Sequence, residues 1–142
     1  MNQSRPVWAK TSLLAVAGAL GFWAANFAIS LTPIAADYRA GLSIAYVPML
    51  FEALAGGLII GFFVSYGLIR FFNFIPTGGA ISKSLVLSFA ALLVLTVLIE
   101  IPGKFLSPTA DTTRYFAIGA LFNVLRIAAL GAVIGSLYHR WG

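Results

Sequence analysis

The sequence predicts an all-α integral membrane protein, a four-transmembrane-helix bundle forming a single domain over residues 1–142. Composition is the first reason: 61% of residues are hydrophobic and 9% charged, whereas a soluble domain needs about 25% charged residues to wet its surface. The second is length, because four separate apolar segments reach the roughly 20 residues that cross a bilayer at about 1.5 Å rise each. The third is punctuation. Pro33, Pro48, Pro76 and Pro102 fall at or near segment ends, where a missing N–H and a fixed φ do least harm.

The segments run over about 11–31, 47–72, 81–101 and 115–138. Arg5 and Lys10 precede the first, as a secretory signal would require, but a signal's apolar core is about 7–15 residues and this run is longer. It is expected as a retained helix. The second and third are joined by a turn at Pro76, Thr77, Gly78 and Gly79, whereas 34–46 and 102–113 read as longer loops on the opposite side.

Four crossings put both termini on one side. That side carries Arg5, Lys10, Arg70, Lys83 and Arg140, against Arg39, Lys104 and Arg114 on the other. The excess of Lys and Arg predicts cytoplasmic termini and a bacterial inner, cytoplasmic, membrane. Tyr38, Tyr46 and Tyr115 on the outer side, and Trp8, Tyr138 and Trp141 on the inner side, sit where interfacial aromatic belts form. The net charge of +5 then reads as a preference for the anionic cytoplasmic leaflet and not as a nucleic-acid footprint.

An offset of 74 residues relates Asp37 to Asp111 and Gly57 and Gly61 to Gly131 and Gly135, and with small gaps the segment 32–39 resembles 107–114. The same offset sets Glu52 opposite Arg126. This suggests a 2+2 parallel pseudo-repeat about an axis along the membrane normal, although identity at that offset is close to what the biased composition gives by chance. Each glycine pair has the GxxxG spacing, which bares a helical stripe for close backbone approach. Helix contacts within the subunit are the expected use, ahead of self-association.

The chemistry-bearing residues are few. There is no cysteine and one histidine, His139, so no disulfide, thiol nucleophile or paired-imidazole metal site is expected, and no cofactor. Asp37 and Asp111 could join Glu100 in an outer carboxylate site only by convergence of distant loops; helix capping and headgroup anchoring with Arg114 are simpler roles. His139 sits at a helix C-terminus, a favourable place for positive charge.

Arg126 stands apart, about 18 Å inside the fourth segment at 1.5 Å per residue. A guanidinium there costs roughly 2.5–3.5 kcal/mol on insertion scales and must find a partner or water. Asn123 lies one turn outward on the same face. Asn26 in the first segment and Glu52 in the second fall at comparable depth, and Glu52 is the expected counter-ion. A closed Arg126–Glu52 pair would merely fix helix neighbours. An open arrangement of Asn26, Glu52, Asn123 and Arg126 would be an outward-facing site for an anion, a lipid headgroup or a proton-coupled solute.

These features point away from an enzyme and from catalytic or metal-ligating residues. The expected function is a non-catalytic accessory or structural subunit, partnered by the lipid bilayer and by other membrane subunits or copies of itself. The alternative is a small oligomeric transporter or channel with its polar site around Arg126 and Glu52.

Overall fold

The computed structural model describes residues 6–106 and 111–141, with the backbone alone at 141. Among these residues the structure is all helical. The segments are α1 (Val7–Ser30), α2 (Pro33–Gly41), α3 (Tyr46–Phe71), α4 (Ala80–Leu95), α5 (Ile101–Phe105) and α6 (Thr112–Trp141), with a 3₁₀ turn over Phe72–Phe74 and a π turn over Thr96–Glu100. Four stretches are long and apolar enough to span a membrane: Val7–Ser30, Tyr46–Phe74, Ala80–Phe105 and Thr112–Arg140. All four anticipated helices are present, each long and apolar enough to span a membrane.

Two details differ from expectation. The segment 34–46, read as a loop, contains α2. Thr32 caps it by accepting from the Ala35 N–H at 3.2 Å, and Pro33 occupies its first turn, where no N–H is needed. Nor does the third crossing end at 101, since helix continues through Pro102 to Phe105. Proline cannot donate and its ring clashes with the carbonyl four residues back. The π turn just before it absorbs the conflict: the Ile101 N–H bonds the Thr96 carbonyl, five residues back, and widens the coil there. Of the matched segments 32–39 and 107–114, residues 107–110 lie outside the described residues.

The bundle is two antiparallel hairpins, α1 with α3 and α4 with α6, joined along α1 and α6. Its core comprises Leu14, Phe22, Val64, Leu68, Ile127, Leu130 and Ile134. The glycines make both hairpins tight. A Cβ on Gly61 would lie 2.9 Å from the Ala15 carbonyl oxygen, and one on Gly57 3.3 Å from the Ala19 Cα. In the second hairpin a Cβ on Gly135 would lie 2.5 Å from the Ile81 Cα, and one on Gly131 2.7 Å from the Ser88 Oγ. At Gly61, Gly131 and Gly135 a Cβ could not be seated without a shift, and at Gly57 its neighbours would have to give by a few tenths of an ångström. Both pairs therefore pack within the subunit, each against the first helix of its own hairpin.

The hairpins differ in reach. From the Ala15–Gly61 contact, α1 runs on to Ser30, whereas from the Ile81–Gly135 contact the α4 to α5 helix runs on to Phe105. At 1.5 Å per residue the second hairpin extends about 14 Å farther. Beside that overhang lies α2. Tyr38 packs edge-on against Phe122 and Tyr115 at 5.4 and 6.1 Å, and Arg114 ties α6 to Asp37 at 2.6 Å. Arg39 donates to the Ser30 carbonyl at 3.4 Å, and the Ser30 and Tyr46 hydroxyls share a hydrogen bond of 2.9 Å. These contacts hold the end of α1 to α2 and α3.

The terminal end is closed by aromatic packing. Trp8 stacks on Phe62 and Tyr66, and Phe72 stacks on Tyr138 at 4.6 Å. Lys83, only 8% exposed, donates to the Phe72 carbonyl at 2.5 Å and lies 4.1 Å from the centre of its ring. One α4 side chain thereby satisfies a carbonyl just past the end of α3.

Candidate functional site

Toward the α2 end, where α3 and α4 diverge, the bundle contains a cavity of about 520 Å³. Its walls are largely apolar and include Phe22 on α1, Met49 and Ile60 on α3, Leu92 on α4 and Ile127 on α6. Glu52, Glu100, Asn123 and Arg126 supply its polar groups. Both α3 and α4 line it, and these two neighbours touch each other far less than the helices within either hairpin do.

Arg126 is held by neutral acceptors. Its Nη1 donates to the Asn26 Oδ1 at 2.8 Å and its Nη2 to the Asn123 Oδ1, while the guanidinium carbon lies 5.5 Å from the centre of the Phe22 ring. The buried Nε finds no acceptor. Asn26, 4% exposed, also directs its amide NH₂ at the Met49 sulfur, 3.2 Å away. Asn123 turns its Nδ2 to Glu100 Oε1 at 2.9 Å, and Glu100 Oε2 meets Lys104 one turn on at 3.4 Å. The chain of groups is thus Asn26, Arg126, Asn123, Glu100 and Lys104, drawn from three of the four spanning stretches.

Three of the four residues expected at the site, Asn26, Asn123 and Arg126, are brought into direct contact. Glu52 is the exception. It is exposed on the cavity's rim and makes no hydrogen bond or ion pair among the described residues. The anticipated Arg126–Glu52 pair is not formed, for a geometric reason. Ala53, Gly57 and Gly61 form the face of α3 buried against α1. Glu52, one residue away from Ala53, is turned about 100° off that face toward the cleft. Arg126 meanwhile is captured by its own helix and by α1.

Glu100 takes the carboxylate position that sequence reasoning gave to Glu52. The spacing of Glu100 and Lys104 signals an i,i+4 pair, but the π turn that presents Glu100 to Asn123 has no comparable signature. The outer carboxylates do not gather: Asp37 and Asp111 both approach Arg114, at 2.6 and 4.0 Å, and Glu100 is engaged elsewhere.

A second, smaller cavity of about 50 Å³ lies under α2, lined by Asn26, Tyr38, Arg39 and Phe122 among others. Arg126 and Met49 border both cavities. They form a septum between the space beneath α2 and the cleft between α3 and α4.

Compared with protein-family models, curated proteins and solved structures, the chain matches none.

Proposed function

We propose that this protein is a small non-catalytic carrier of a bacterial cytoplasmic membrane, with both termini inside, that takes an amphiphile from the bilayer into the cleft between α3 and α4. The observation that carries this reading is the unclosed cavity. Arg126 and Glu52 border the same space without neutralising each other, so the simplest architectural explanation for a charge inside the membrane is missing. A volume of about 520 Å³ falls within the roughly 300–1,000 Å³ of small-molecule sites, which are mostly apolar with a few placed polar groups. A site between α3 and α4 favours a guest already dissolved in the membrane.

Mass spectrometry of the protein released from lipid nanodiscs tests this. The wild type is expected to retain one amphiphile per chain, and Gly56→Leu to lose it. Gly56 lines the cleft and a Cβ there meets nothing within 4 Å, so the larger side chain intrudes on the guest's space without disturbing the bundle. A wild type that emerges empty overturns the proposal.

An accessory-subunit role is the second reading. It is favoured by Ala80–Phe105, the most apolar and least covered of the four spanning stretches, which leaves a broad face for another membrane protein. Copurification of a foreign subunit in fixed ratio supports it, and a sharp homo-oligomer without other proteins sinks it.

A further inference from the structure

Resting on the carrier reading, we infer that the cleft selects an amphiphile whose head carries both a primary ammonium and a phosphate, that is, an aminophospholipid. The argument is one of charge and hydrogen-bond capacity. Within the cavity lining, Glu100 is already served by Asn123 and Lys104. Glu52 is the carboxylate left without a partner among the described residues. A carboxylate inside a membrane span is costly unless it is neutralised, and a guest that brings a cation supplies what the chain does not.

Arg126 makes the opposite demand. Two of its five N–H groups are used, both on neutral amide oxygens, and its buried Nε has no acceptor. Its nearest hydrogen-bonded route to a negative charge passes through Asn123 to Glu100. A phosphate is the acceptor a guanidinium matches best, through paired charge-assisted bonds.

The two demands occur at one level of the bundle. Asn26 bonds both Met49 and Arg126, which fixes the guanidinium near the depth of Met49, one turn from Glu52 on α3. A head with phosphate and ammonium a few bonds apart satisfies both ends. Its chains would lie along the apolar wall formed by Ile59, Ile60 and Leu95. A purely anionic head would leave Glu52 unpaired and add a repulsion; a purely cationic one would leave Arg126 unanswered.

The test is lipid competition. Wild-type protein is reconstituted in nanodiscs of equal parts phosphatidylethanolamine, phosphatidylcholine and phosphatidylglycerol, and retained lipid is identified by native mass spectrometry. Phosphatidylethanolamine is expected to be enriched about tenfold over phosphatidylglycerol, the effect of one charge-assisted hydrogen bond. It should also exceed phosphatidylcholine, whose quaternary ammonium has no N–H to donate. Glu52→Gln should bring the enrichment over phosphatidylglycerol close to unity while lipid is still retained; Glu52 is exposed and unbonded, so this variant folds. Arg126→Gln should reduce retention of all three lipids. Soluble phosphoethanolamine, which has the head without the chains, should fail to displace the bound lipid; displacement would mean that a free zwitterion is the ligand and overturns the lipid assignment. Retention without preference, or a preference unchanged in Glu52→Gln, overturns the inference while leaving the carrier reading intact. No retained lipid at all overturns both.

Discussion

The two sides of this bundle are built on opposite terms. Where α1 meets α3 and α4 meets α6, glycines bring backbone against backbone and leave little room for a methyl group. Where α3 faces α4, a cavity of about 520 Å³ remains, and a Cβ on Gly56 in its wall would meet nothing within 4 Å. The same residue type on the same helix therefore serves a contact at Gly57 and Gly61 and a space at Gly56. In a bilayer this contrast matters, because lipid is as apolar as a side chain and a seam must gain its stability from close packing and not from leaving water. A seam left loose is open to whatever the membrane holds.

The sharpest way to break the contrast is to enlarge one glycine on each side. Gly135→Leu should prevent α6 from approaching Ile81 and cost about 3 kcal/mol or more, seen as loss of the cooperative unfolding transition followed by tryptophan fluorescence in detergent. Gly56→Leu should change stability by less than about 1 kcal/mol in the same assay. Equal effects would show that the seams do not differ as described. Next in size is Arg126→Met, which strips the amide oxygens of Asn26 and Asn123 of their donor. The expected loss is about 2–4 kcal/mol, and Arg126→Lys should recover only part of it, because an ammonium cannot span both acceptors in the same plane. Smaller again is the loss expected for Lys83→Met at the terminal end. It keeps the apolar stem but removes the hydrogen bond to the Phe72 carbonyl, and should lower stability by about 1–2 kcal/mol.

Much of the bundle was legible in the sequence because a membrane imposes coarse rules. Length and hydropathy placed all four long apolar helices, and GxxxG spacing marked both tight seams. Cost alone marked Arg126, and helical periodicity put Asn123 beside it. What escaped was anything decided by the rotation of one helix against another. Glu52 and Glu100 are both carboxylates near the same end, and only the direction of the buried stripe on α3 and the wide turn before Pro102 decide which one joins the network. The short helix α2 escaped for a different reason. It is nine residues long and pinned by Thr32, Pro33 and contacts with α6, so its order comes from tertiary partners and not from a strong local signal. The 74-residue offset also misses one half of each hairpin: Gly57 and Gly61 map onto Gly131 and Gly135, but their partners Ala15 and Ala19 map onto Ile81 and Leu85, which lie only 66 residues on.

The π turn at Thr96–Glu100 sets the phase of everything beyond it. An α-helix advances about 100° per residue, and a π turn accommodates one residue more than the regular coil would in the same rise. If these same residues wound instead as an ordinary helix, the glycine seam at Ile81 would be undisturbed. The outer end of the third crossing would then point elsewhere, carrying Glu100 and Lys104 about a quarter turn away from Asn123. The far end of the third crossing can thus be dialled independently of its anchored base, so the charge beside the cleft depends on a backbone insertion of one residue as much as on the side chains that display it.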